Sequence, residues 1–115
     1  MALDTVADYL SSARVLLQDI DAAGYRYADA ELVNALNLAF LEAYRVRPDL
    51  FLRTSVPSYS MASPTAAVAL DQRYRTAVLY YVAGHAQLRD DETTQDARAS
   101  VFLNKFWSQM TTTQA

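Results

Sequence analysis

The sequence predicts an all-α protein, a small four-helix bundle with a long irregular connection between its second and third helices. Three observations predict it. Apolar residues recur at steps of three and four in four separate segments. Only two glycines occur, Gly24 and Gly84, too few for the Gly-rich turns of a sandwich or barrel. All three prolines, Pro48, Pro57 and Pro64, fall in one stretch that has no helical period.

Helix 1 is predicted over residues 5–23. Thr5 with Asp8 is a capping-box variant. Val6, Leu10, Ala13, Leu17 and Ile20 form its stripe, widened by Tyr9 and Leu16. Gly24 suits the C′ position. Asp19 and Asp21 oppose the dipole at that end and have no local explanation.

Helix 2 is predicted over residues 30–47. Asp29 is placed as N-cap, because its carboxylate can accept free backbone N–H groups of the first turn. Glu31 adds charge that the dipole favours, and Arg45 and Arg47 suit the other end. Pro48 pushes Arg47 out of helical geometry. The main apolar face carries Leu32, Val33, Leu36, Ala39, Phe40, Ala43 and Tyr44. The other side holds Asn34, Asn37, Glu42 and Arg45, with Leu38 and Leu41 among them.

Residues 48–70 read as one long connection with a Ser/Thr-rich run and short extended pieces at 50–52 and 68–70. Connections of that length in a compact domain tend to carry function. Helix 3 is predicted from Asp71 as N-cap to about residue 89, with a stripe of Tyr74, Val78, Tyr81, His85 and Leu88. Helix 4 is predicted over residues 93–110. Thr93 and Asp96 echo a capping box, and Ala99, Phe102, Leu103, Phe106, Trp107 and Met110 form a wide apolar face. Residues 1–110 form one domain, and 111–115 are read as a flexible tail.

With 115 residues, the chain suits one domain with an ordinary core. A hydrophobic fraction of 52% comes without any run near the roughly 20 residues of a spanning helix. No basic region followed by an apolar block marks a secretory signal. The absence of cysteine removes disulfides, thiolate zinc sites and thiol catalysis. A net charge of -3 argues against tight duplex binding, which relies on neutralising phosphates.

Candidate chemical sites are sparse. His85, the single histidine, is either a general base or metal ligand, or a partly buried, hydrogen-bonded core residue. No second ligand or nucleophile stands at motif spacing from it, which favours the core reading. Asp90, Asp91 and Glu92 could bind a divalent cation, but they lack EF-hand spacing and read as a solvated turn between helices. No phosphate-cradling Gly-rich loop and no nucleophile elbow occur. No catalytic, cofactor or metal residue is assigned, and an enzyme is not expected. A helix-turn-helix reader needs a short turn, which the predicted break between helices 1 and 2 allows, and base-reading side chains, which helix 2 lacks.

Surplus apolar residues carry more information. Leu38 and Leu41 lie on the polar side of helix 2, Leu79 and Tyr80 lie off the stripe of helix 3, and Trp107 sits at the edge of helix 4. Together they suggest a surface covered in an assembly. The alternative is that these helices are more central than a helical wheel assumes. Gly84, beside Ala83 and Ala86, lets another helix approach closely, within the subunit or between subunits.

Several landmarks recur in an ordered series. Tyr25-Arg26-Tyr27 leads into Asp29, Glu31-Leu32 and Leu36-Asn37, and Arg47-Pro48-Asp49 closes that helix. Tyr74-Arg75, Ala77-Val78 and Tyr80-Tyr81-Val82 follow, then Asp90-Asp91-Glu92, Arg98-Ala99, Phe102 and Lys105-Phe106. In this order and spacing the chain resembles the phage head-to-tail adaptor proteins over most of residues 25–107. Each landmark is a packing or capping signature.

The resemblance implies a structural virion subunit of the phage neck, made in the host bacterial cytoplasm. It implies a homo-oligomeric ring, commonly of twelve copies, between the portal protein and the next neck or tail component. DNA would pass through the lumen with only weak contact, and neither cofactor nor membrane is involved. On that reading Leu38, Leu41, Leu79 and Tyr80 form the subunit interface. Phe51, Arg53, Tyr59 and Met61 on the connection, with Trp107 and Met110 near the C-terminus, are partner-binding anchors on adjustable arms. A helical regulatory or DNA-binding module of antitoxin type is the alternative.

Overall fold

The computed structural model describes residues 3–20, 24, 27–51, 58–60, 67, 68, 70, 72–87 and 93–111. Four α-helices make up the fold: α1 (Val6–Leu17), α2 (Asp29–Val46), α3 (Gln72–Gln87) and α4 (Thr93–Thr111). A 3-10 turn, Pro48–Phe51, follows α2. Among the described residues there is no strand, only a single antiparallel bridge between Thr5 and Ala67. The all-α, four-helix architecture is the one the periodicity calls for. No helix among the described residues is long and apolar enough to cross a membrane.

α1 begins on the capping box. The Asp8 N–H donates to Thr5 Oγ1 at 3.3 Å, and the Thr5 N–H donates back to Asp8 Oδ2 at 3.1 Å. The helix stops at Leu17, well short of residue 23. Gln18 adopts the left-handed conformation (φ 57°) and takes the terminating role expected of Gly24. Its N–H donates to the Val15 carbonyl, and the Asp19 N–H donates to that of Arg14. Ile20, expected on the buried stripe, is therefore 72% exposed.

The early stop has an electrostatic cause. Asp19 is buried and accepts from Arg14 Nη1 at 2.9 Å and from the Tyr27 N–H at 3.1 Å. The same Arg14 nitrogen donates to the Tyr27 carbonyl at 3.0 Å, and Nη2 donates to the Asp29 carboxylate. One buried guanidinium thus ties the end of α1 to the start of α2. Asp19 faces that cation, which accounts for an acid at an end where the dipole disfavours one. Asp29 is engaged with Arg14 and does not cap. The N-cap of α2 is Ala28, which makes no side-chain cap bond.

α2 packs its Leu32, Val33, Leu36, Ala39, Phe40 and Ala43 face into the core. Arg47 closes the helix and locks three elements together. It donates to the Asp49 carboxylate through Nε (3.0 Å) and Nη2 (2.9 Å), donates to the Met110 carbonyl at 2.8 Å, and lies over the Tyr74 ring.

α3 is the central helix. It packs against α1, α2 and α4, and its buried residues Tyr74, Ala77, Val78, Val82, Ala83 and Ala86 cover most of its girth. Gly84 is buried against α4: a Cβ there would meet Leu103 Cγ at 3.0 Å and Phe102 Cβ at 3.1 Å. The glycine therefore serves an approach within the subunit. His85 is at the edge of the core, half-buried, with its ring stacked on Tyr81 at 5.8 Å.

The connection returns to the fold at two described points. Asn37 clasps the backbone of Tyr59, donating to its carbonyl (2.9 Å) and accepting its N–H (2.7 Å), while the Tyr59 ring packs on Phe40. Farther on, the Val68 N–H donates to the Asp4 carbonyl at 2.8 Å, and Arg75 joins the Asp4 carboxylate to the Leu70 carbonyl. The expected cap residue Asp71 and the run 90–92 lie outside the described residues.

Candidate interaction surface

The outward side of α2 is the strongest candidate. At about 100° per residue, Leu38, Leu41 and Arg45 fall within about 60° of one another, opposite the buried Leu36. Leu41 is 55% exposed and Leu38 half-buried. Tyr44 was expected on the core face. It lies at the rim of that face and is 47% exposed, so it joins Leu41 on the outside. Its aromatic type hid this, since Leu and Tyr count alike in a hydrophobic stripe.

α4 extends the patch. Trp107 is 43% exposed and Arg45 lies over its ring at 5.6 Å. The Arg45 guanidinium is held at its other edge by Glu42 Oε1, which accepts both its Nε (2.9 Å) and its Nη2. That hydrogen bond and the Glu42 charge raise the Arg45 pKa. Tyr81 of α3 lies close below: burial raises its hydroxyl pKa, the Glu42 charge adds to the rise, and Arg45 opposes it. The cation is paired with Glu42 and laid over Trp107, and stacked Arg and Trp are residues that interface centres favour.

The remaining expected anchors divide. Tyr80 is half-buried, stacked on Phe102 at 5.9 Å with Lys105 Nζ 5.0 Å from its ring. Leu79 packs against the core, because α3 is enclosed on that side. Met110 is fully buried in the core, where Arg47 holds its carbonyl, so it is no partner-binding anchor. Tyr59 is clasped by Asn37 and packs against the core, so it is not on a free arm. Phe51 ends the 3-10 turn, with its side chain outside the described residues, as are Arg53 and Met61. Val101, which the sequence reading missed, is 54% exposed on α4. Its signal was its position across the wheel from the Ala99–Phe106 stripe.

Two shallow hollows flank α2. One, of about 230 Å³, is lined by Glu31, Asn34, His85 and Ala86. The other, of about 250 Å³, is lined by Ala30, Val33, Asn34, Asn37, Tyr59 and Ser60. Among the described residues no three His, Asp or Glu side chains come together as a metal site. Residues 18–28 separate α1 from α2, a longer break than the three- or four-residue turn of a helix-turn-helix. Comparison of the chain with family models, curated proteins and solved structures gives no match.

Proposed function

We propose that the chain is a structural, non-catalytic subunit of a phage neck. It forms a head-to-tail adaptor ring between the portal and the next neck or tail component, with DNA passing through the lumen. The observation that carries this reading is the apolar outward face of α2, where Leu41 and Tyr44 stand exposed beside Trp107 and its Arg45 lid. A lone monomer gains nothing by presenting that face to water, and a ring covers it. The acidic balance of the chain suits a lumen that lets phosphates pass.

Native mass spectrometry and negative-stain microscopy of the purified protein, alone and mixed with a portal protein encoded in the same gene cluster, test the proposal. Ring-shaped oligomers are expected in at least one condition, and Leu41→Asp removes them while the helical circular dichroism is retained. A chain that stays monomeric in both conditions overturns the proposal. So does nanomolar, steeply salt-dependent duplex binding by a monomer or dimer, which belongs to a regulatory module.

A further inference from the structure

A closed ring of more than two copies needs two different surfaces on each subunit, because only a front-to-back contact repeats around the circle. The α2 face supplies one. We infer that the second is the far flank of α4, built from Tyr80, Val101 and Lys105, and that its occupant is the α2 face of a neighbouring copy. This inference rests on the ring reading above.

The two patches lie on opposite sides of one helix. At about 100° per residue, Trp107 and Lys105 project about 160° apart around α4. Trp107 faces α2, where Arg45 covers it. Lys105 faces the other way, over Tyr80 of α3, and Val101 stands one turn from Lys105 on the same side of α4. Each patch has the same make-up: an exposed aliphatic side chain (Leu41 or Val101), an aromatic ring (Trp107 or Tyr80) and a cation laid over that ring.

The α2 patch offers a hydrogen-bond acceptor and the α4 patch a donor cation. Glu42 Oε1 takes both hydrogen bonds from Arg45, which leaves Oε2 as a carboxylate oxygen at the border of Leu38 and Leu41. Lys105 has no carboxylate partner among the described residues; its ammonium rests only on the Tyr80 ring. Docking Val101 beside Leu41 brings that ammonium toward the neighbour's Glu42. A molecule measuring 41 × 32 × 22 Å has flanks broad enough for the roughly 800 Å² per partner of a standard interface.

The chain contains no cysteine, so introduced thiols report contacts without background. Leu41→Cys and Val101→Cys both lie at exposed sites and leave the core untouched. Under a short bis-maleimide linker, each single variant alone gives monomer, the two mixed give a dimer, and the double variant gives a ladder ending at the closed ring. A Leu41→Cys variant that links to itself as well as to Val101→Cys overturns the inference. Wild-type rings with no link in the mixture overturn it as well and leave the ring reading standing. A wild type that never assembles, alone or with the portal, removes the ring reading and this inference together.

Discussion

Replacing Arg14 tests how much of the fold hangs on one buried cation. Its side chain joins Asp19, Asp29 and the Tyr27 carbonyl. In Arg14→Met the aliphatic volume is kept and the charge is lost. The buried Asp19 carboxylate is then left without the guanidinium it faces at 2.9 Å. Breaking a buried pair from one side costs about 3–5 kcal/mol, because the remaining charge is uncompensated. Asp29 is half exposed and adds less than about 1 kcal/mol, as surface pairs do. A loss of about 3–5 kcal/mol is a large share of the 5–15 kcal/mol typical of a domain. Urea unfolding followed by circular dichroism reads it directly, and the midpoint of thermal unfolding should fall by roughly 10–20 °C. Adding Asp19→Asn removes the stranded charge and keeps an acceptor for the Tyr27 N–H, so the double variant should regain about half of the loss. A single-variant loss under about 1 kcal/mol, or a double variant as unstable as the sum of its parts, would refute the claim that the two charges are coupled.

Three further outcomes follow from other details of the packing. Tyr9 is fully buried and its hydroxyl has no hydrogen-bond partner among the described residues, so Tyr9→Phe should be neutral or stabilising by up to about 1 kcal/mol in the same urea assay. Burial raises the Tyr9 pKa above its ordinary value of 10.0, with Arg75 opposing. The unfolded chain therefore sheds this proton first as pH rises, and stability that is fully present below pH 10 falls by about 1.4 kcal/mol per pH unit above it; Tyr9→Phe should remove that part of the slope. Gln18→Gly should stabilise by about 0.5–1 kcal/mol, since glycine relieves the left-handed backbone and gives back part of the gain as chain entropy; a destabilised variant would contradict this account of the end of α1. Gly84→Ala should lose about 1 kcal/mol despite the better helix propensity of alanine, because the new methyl meets Phe102 Cβ and Leu103 Cγ, atoms close to the backbone that cannot swing aside; Gly84→Val should lose more, and an equally stable alanine variant would show that α4 shifts freely.

The helices were legible because their signals are local. Thr5 and Asp8 announce the start of α1 within four residues, and Pro48 announces the end of α2. The boundary at Leu17 was not legible, because its cause is a contact between Arg14 and groups as far along the chain as Asp29. Asp19 looked misplaced because a dipole argument counts only the helix backbone, whereas the charge it answers to is the side chain of Arg14, five residues earlier in α1. Asp29 was assigned a cap on its position alone, and a stronger partner claimed it.

The interaction surface divides along the same line. Leu41 and Trp107 were found because a wheel compares each residue with its own helix. Met110 was misjudged because its burial depends on how other elements close over the end of α4, among them Arg47, which lies 63 positions upstream. Tyr59 was misjudged because its clasp by Asn37 pairs a loop with a helix position that reads as solvent-facing. Patterns therefore identify side chains that the parent helix cannot hide, and tertiary closure decides which of them another element covers. Leu41 and Trp107 survive both filters, while Val101, which the pattern did not single out, joins Lys105 on the far side of α4. Lys105 on the far side has no carboxylate partner among the described residues, and Glu42 on the α2 side keeps one carboxylate oxygen outside its pair with Arg45, which is the donor and acceptor that the proposed contact between neighbouring copies would use.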